Sequence, residues 1–243
     1  MDTINKKVPI IHCLIPARSG SKSIIGKNIK KYKGEPLLAK SIKLSKQCMY
    51  ISKTVVSTDS YYIKQIAETY GAECPFIRPV EISGDYSLDI ECFQHYIQWL
   101  SENGQKLPDI LVHLRPTYPE RTINLLNNCI HTFLTNNHYD SLRTVIESDM
   151  IPFKQYIITG DQLEPLFKSF NGINEPYNNV RQIFPTIYSH NGCIDIVKRT
   201  VIENGSMSGN LIYPYVMSKN EFYDIDTIDD WNKSENQPDK TVN

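Results

Sequence analysis

Between residues 10 and 136, short apolar runs alternate with longer segments of helical period, and this alternation constrains the fold most strongly. The runs at 10–16, 54–59 (TVVSTD), 74–79 (CPFIRP) and 109–114 (DILVHL) have strand length. The first and last are almost continuously apolar, as expected of strands covered on both faces. Segments 37–47, 63–71, 88–104 and about 121–136 space their apolar residues at helical intervals, and two of them close on Gly71 and Gly104. The pattern predicts an α/β fold with a mostly parallel sheet flanked by helices and with sites at the carboxyl ends of its strands.

After residue 150 the pattern changes. FKQYIITGDQLEPLF reads as a hairpin turning at Thr159–Gln162. Residues 169–186 are polar and irregular, the composition of a functional loop or of an arm that packs on another subunit. Strands are expected again at 192–197 and 211–217, and a short helix after Asp226. The expected organisation is one domain over residues 1–243, with 150–187 as a dimerisation arm.

A net charge of −1 gives no reason to expect nucleic acid or an anionic membrane as partner. The distribution is more telling. Residues 1–46 carry eleven of the 26 Lys and Arg but only two of the 27 acidic groups, which suits a bound polyanion. The six cysteines form no CxxC pair and fall in apolar periods, as buried thiols of a reducing compartment would. The apolar run near the start is too short to span a membrane, so a cytoplasmic location is expected.

The segment IPARSGSKSIIGKN, directly after the first strand, resembles a phosphate-binding P-loop but departs from it twice. Five residues rather than four separate Gly20 from Gly26, and Asn28 replaces the metal-binding Ser or Thr. What remains is a loop whose amides between Ala17 and Ser21 can cradle phosphate oxygens, with Arg18, Lys22 and Lys27 to neutralise them.

The longer stretch PARSGSKSIIGKNIKKYKGEPLL is similar to the opening motif of the acylneuraminate cytidylyltransferases. Five further segments resemble signatures of that family in the same order: VVSTDS, IRPVEISGDYS, HLRPTYPER, VRQIFPTIYSHNGCIDI and YDIDTIDDW. The resemblance runs from residue 12 to residue 231. It implies a Rossmann-like domain with a small β-hairpin and loop dimerisation insertion, a homodimer, and transfer of CMP from CTP to an acidic acceptor with Mg²⁺ or Mn²⁺. By motif match Arg18, Lys22 and Lys27 would be catalytic, and Ala17, Ser19, Gly20, Ser21 and Asn28 would complete the phosphate loop. Arg78, Ser83 and Ser87 would lie at cytosine and ribose. Lys154, Arg181 and Gln182 would face the acceptor, partly from a neighbouring subunit, with Thr117, Tyr188 and Asn191 from the matching segments.

Asp224 and Asp226 would hold the metal. Two residues apart in an extended segment, they point the same way. The same residues ahead of IDDW also suit a helix N-cap, and spacing leaves both readings open.

Departures from the family pattern gather on the acceptor side: Arg115 replaces the usual Gln, Asp195 the usual Tyr, and Met207 and Ser208 the aromatics of sialic acid enzymes. On the nucleotide side, Ser23 stands for a glycine. Arg115 is therefore expected to grip the acceptor's anion as a bidentate fork; the alternative is a structural ion pair. The acceptor would be a nonulosonic or related 2-keto-3-deoxy sugar acid, alternatively a phosphonate or another small anion. A regulator that binds nucleotide without catalysis is the alternative of another class. His113, His190 and Tyr188 are candidate general bases, each with a competing structural role.

Overall fold

A computed structural model describes residues 8–219 and 224–236. In chain order its elements are β1 (Ile11–Pro16), β2 (Lys31–Tyr32), β3 (Glu35–Pro36), α1 (Leu37–Gln47), β4 (Lys53–Ser57), α2 (Tyr61–Thr69), α3 (Asp89–Glu102), β5 (Ile110–His113), α4 (Ile123–Thr135) and β6 (Ser141–Glu147). Then follow β7 (Tyr156–Thr159), β8 (Gln162–Pro165), β9 (Ser169–Phe170), β10 (Ile173–Asn174), β11 (Tyr188–Lys198), α5 (Arg199–Glu203), β12 (Ile212–Val216) and α6 (Ile228–Glu235).

Six strands form one sheet in the order β12-β6-β11-β5-β1-β4. Only β11 runs against its neighbours; the others share one direction. Ile11, Cys13 and Ile15 of β1 face one core, with α1, α2 and α4, while Leu14 faces the other, with α3 and α5. The apolar runs are continuous because both faces are buried. This is the Rossmann-like, mostly parallel α/β fold that the alternation and the motifs predicted.

The chain moves from β1 to β4 on one side and then crosses to β5 on the other. The strand order therefore reverses between β1 and β5, where α/β sheets open a crevice at their carboxyl ends.

One expectation is corrected, and two elements were not anticipated. CPFIRP adds no strand: only Glu73 bridges Val55, since Pro75 and Pro79 lack the amide a ladder needs. Strand β6 and helix α5 were missed, β6 because Ser, Arg, Thr and Glu interrupt its apolar residues. Residues 150–187 leave the sheet after β6 and return in β11 as two small hairpins over a phenylalanine cluster, with Phe153 stacked 3.9 Å from Phe170 and 5.1 Å from Phe184. Ile157, Ile158 and Leu163 of the β7–β8 hairpin stay exposed.

Candidate active site

The crevice between β1 and β5 opens into a cleft of about 500 Å³ lined by residues from four segments of the chain. From the loop after β1 come Arg18, Ser21, Lys22, Lys27 and Asn28. The amide of Ala17 donates to Ser57 O at 2.9 Å, and the Ser19 amide and hydroxyl donate to the two Asp59 carboxylate oxygens at 2.7 Å. Those amides are committed to the protein, so the expected cradle from Ala17 to Ser21 is reduced, and Ala17, Ser19 and Gly20 lie behind the lining rather than in it. Asn28 likewise turns inward, its side-chain amide donating to Arg18 O at 2.9 Å. Asp59, not singled out from sequence, fixes the loop's shape.

The opposite lip is the segment from Arg78 to Asp89. Arg78 is buried, yet its Nε and one terminal nitrogen have no hydrogen-bond partner. Buried donors left unmatched are costly, about 1–3 kcal/mol each and more for a charged group, which makes this guanidinium a place for a ligand acceptor atom. Ser83 and Ser87 line the cleft but also shape their own turn, through Ser83 Oγ to Pro79 O at 2.7 Å and Gly84 N to Ser87 Oγ at 2.9 Å. Asp85 reaches across to the basic lip, 2.5 Å from Lys22 Nζ and 3.3 Å from Arg18. That contact holds the exposed Asp85 carboxyl below its ordinary pKa.

The third wall comes from the far end of the chain. Ile225 is fully buried beside Trp231, Tyr32, Ile24 and Leu37, and Trp231 packs edge-on to Tyr32 at 5.6 Å. With Ile225 turned inward, Asp226 reaches the cleft, whereas Asp224 keeps its Oδ1 buried and does not line it. Lys27 Nζ donates to Ile225 O at 3.0 Å and lies 3.3 Å from Asp226. The cap of α6 falls to Thr227, whose hydroxyl accepts from the Asp230 amide at 3.2 Å while the Asp230 carboxylate accepts from the Thr227 amide at 2.8 Å. Asp226 is thus not the cap, and its side chain is 72% exposed toward the cleft.

Asp224 Oδ1 is buried without a partner. Burial and then the Asp226 charge push its pKa up, opposed by the Thr117 hydroxyl, Lys27 and Arg121. No cluster of three or more metal-ligating side chains occurs among the described residues. An orphaned carboxylate oxygen beside a second, accessible carboxylate fits Mg²⁺, which typically takes one or two protein carboxylates and fills its shell with phosphates and water.

Arg115 does not stand open as a fork. Its two terminal nitrogens pair with Asp195 at 2.8 Å and Asp89 at 2.9 Å, and the first also donates to Gly192 O at 3.2 Å. The structural ion pair is the arrangement observed, because Asp195 is 3% exposed and needs a counter-charge. Despite its burial, the Asp195 carboxyl is held far below its usual range by the His190 hydrogen bond and the Arg115 charge. His113 lies 3.8 Å from Asp195 and 4.0 Å from Asp89, and burial lowers its pKa to about 4, so the ring is neutral at neutral pH. His190 Nε2 is 2.7 Å from Asp195 Oδ1.

Behind this network Arg121, fully buried, ties Arg115 O at 2.5 Å to Cys193 O at 2.5 Å and Ser41 Oγ at 3.0 Å. It was missed as a positioning residue, though it ends the quoted HLRPTYPER.

Of the other expected acceptor residues, only Thr117 lines the cleft. Asn191 is buried and staples a bulge in β11, where three extra residues are accommodated against β6; its Oδ1 accepts from Thr144 Oγ1 at 2.6 Å and from Cys193 N at 3.1 Å. Gly192 within this bulge has φ +69° and lies against Arg115, which glycine alone adopts without strain. Tyr188 is half exposed at the start of β11, opposite Glu147. Lys154, Arg181 and Gln182 sit in the arm; none lines the cleft, and Arg181 and Gln182 border a separate recess with Phe184 and Pro185. The six cysteines are all buried and unpaired, with burial raising the thiols of Cys13, Cys74 and Cys193 to about 12. No helix among the described residues is long and apolar enough to cross a membrane.

A crevice at a strand-order reversal, with cations on one lip and paired carboxylates on another, defines a nucleotide-phosphate site on an α/β sheet. Residues 12–98 match the family described as Cytidylyltransferase. The chain is 31% identical over 232 residues to the CMP-N,N'-diacetyllegionaminic acid synthase of Legionella pneumophila, covering 91% of this chain and 93% of that protein. It is 29% identical over 218 residues to the post-translational flagellin modification protein B of Campylobacter coli, covering 89% and 90%. Its fold is shared with a CMP:2-keto-3-deoxy-manno-octonic acid synthetase solved with CTP, at a TM-score of 0.66, 14% identity and coverage of 93% and 97%. The chain belongs to the acylneuraminate cytidylyltransferase family and is a CTP-dependent nucleotidyltransferase.

Proposed function

We propose that this protein transfers CMP from CTP to a hydroxyl of a nonulosonic or related 2-keto-3-deoxy sugar acid, releasing pyrophosphate. The observation that carries the reading is the convergence, in one cleft, of Arg18, Lys22 and Lys27 with Asp226 and with Arg78, two of whose nitrogens are unpartnered, while Asp224 keeps a buried, unpartnered Oδ1 two residues from Asp226. An acceptor oxygen attacks the α-phosphorus and pyrophosphate leaves in line, so catalysis is positioning and charge neutralisation. Arg18 and Lys22 exchange Asp85 for phosphate oxygens. Lys27, held by Ile225 O, neutralises charge that grows on the leaving group. Arg78 offers its free donors to the acceptors of cytosine or ribose, with Ser83 and Ser87 alongside. Asp224 and Asp226 would hold Mg²⁺, or Mn²⁺, which when bound screens the phosphates as a Lewis acid.

The arm at 150–187 is the proposed dimer contact. Its exposed Ile157, Ile158 and Leu163 favour burial, and its Lys154, Arg181 and Gln182 do not line their own cleft and would be available to a partner's. The phosphonate alternative loses its motive, because Arg115 is already paired. A non-catalytic regulator would not need the paired carboxylates opposite Lys27. The test is pyrophosphate release from CTP and Mg²⁺ with pseudaminic, legionaminic, N-acetylneuraminic and 2-keto-3-deoxy-octonic acids and a phosphonate. Release with a sugar acid supports the reading; release with the phosphonate alone, or with no acceptor, refutes it.

A further inference from the structure

Arg115 is spent on Asp89 and Asp195, and Lys154 and Arg181 lie outside the cleft of their own chain, which leaves room for another cation at the acceptor's carboxylate. The register of the sheet supplies one. His113 on β5, Asp195 on β11 and Arg143 on β6 lie directly across from one another on three adjacent strands. Side chains of residues in register share a face, here the face covered by α3 and α5. Arg143 follows the buried Leu142 of the opposite core and precedes Thr144, which staples the β11 bulge.

Arg143 forms no ion pair among the described residues, and its Nε is buried without a hydrogen-bond partner. It lines a recess of about 340 Å³ with Ile90, Gly205, Ser206 and Met207. Leu88, Asp89 and Arg115 border both this recess and the nucleotide cleft, so the two adjoin. A guanidinium with open donors, one recess away from the phosphate cations, suits a planar carboxylate on a molecule whose other end reaches the cleft. The wall beside it includes Met207 rather than an aromatic.

We infer that Arg143 is the specificity-determining cation that binds the acceptor's carboxylate, an inference that rests on the cytidylyl-transfer reading above. Arg115 then acts as a positioning residue, holding Asp89 and Asp195 between the two subsites.

The experiment uses the full-length chain with CTP and Mg²⁺, taking whichever of pseudaminic, legionaminic and N-acetylneuraminic acids the wild type uses best, together with its methyl ester. Wild type, Arg143→Gln and Arg143→Lys are compared for acceptor KM, CTP KM and melting temperature. The expected result is a tenfold or greater rise in acceptor KM for Arg143→Gln and an unchanged CTP KM. Arg143→Lys should recover part of the loss. The acid-over-ester preference of the wild type should collapse in Arg143→Gln, which a merely structural role would not produce. An acceptor KM within twofold of wild type, or an intact preference for the acid, overturns the inference while leaving cytidylyl transfer standing. Arg143→Gln unfolding while Arg143→Lys keeps wild-type acceptor KM and acid preference also overturns it in favour of a structural role. A wild type that uses none of the three acids overturns the inference, and one that also refuses 2-keto-3-deoxy-octonic acid overturns both readings.

Discussion

Replacing Arg115 by Gln separates an anion-binding role from the ion-pair role the structure gives it. The substitution removes the counter-charge from Asp195, which is 3% exposed, and from the half-exposed Asp89. Breaking a buried pair by removing one partner costs about 3–5 kcal/mol. Arg115 is itself 28% exposed, so the lower end, about 3 kcal/mol, is expected. For a chain of this length that corresponds to a fall in Tm of about 6–12 °C. The neutral His113 cannot compensate, and His190 keeps its one hydrogen bond.

The sign of the pH dependence follows. In the wild type Asp195 has a depressed pKa, so its stabilisation is present above the unfolded carboxylate pKa and is lost only as pH falls toward the folded value. In Arg115→Gln that depression shrinks, because burial still opposes ionisation and one lowering charge is gone. The penalty is then full at pH 7 and relieved as Asp195 protonates, so the two melting curves should converge on going from pH 7 into acid below the ordinary carboxylate pKa. Melting temperatures at pH 7 and in that acid range, beside acceptor and CTP kinetics, provide the assay. A wild-type Tm at pH 7 combined with a large rise in acceptor KM would refute the ion-pair reasoning and restore Arg115 as the acceptor's fork.

Lys27→Ala should lower kcat far more than it raises CTP KM, because the leaving pyrophosphate gains charge in the transition state; near-normal turnover would remove Lys27 from the mechanism. Asp224→Asn and Asp226→Asn should each raise the Mg²⁺ concentration needed for half-maximal activity, and Asp226→Asn should leave Tm almost unchanged, read from metal titrations beside melting curves. Thr227→Ala should do the reverse, costing about 0.5–2 kcal/mol of stability with the Mg²⁺ requirement unaltered, as expected of the true cap. Arg78→Lys should weaken CTP binding measured by calorimetry without destabilising the fold, since its lost donors serve no protein acceptor.

The local pattern of this sequence determined the α/β class, most helices of the main sheet, the hairpin at 156–165 and the basic loop after β1. Each of these depends on neighbours within one turn or one strand, and apolar period and turn chemistry encode such neighbours directly. Ordered motifs added the nucleotide, because Arg18, Lys22, Arg78 and Asp226 lie in segments whose spacing is itself the signal. What a side chain pairs with is a different matter. Arg115 reads as a free fork until β11 places Asp195 2.8 Å away, eighty residues later in the chain. Asp226 reads equally as cap or ligand until Thr227 takes the cap and the burial of Ile225 leaves Asp226 facing the cleft. Asn191 looks like a polar contact until the bulge buries it against Thr144. Arg143 carries no sequence signal, since only strand register sets it beside Asp195 and leaves its Nε without a partner. Charges separated by many tens of residues carry no periodic mark of each other, so packing alone decided which cations are spent and which remain for a ligand.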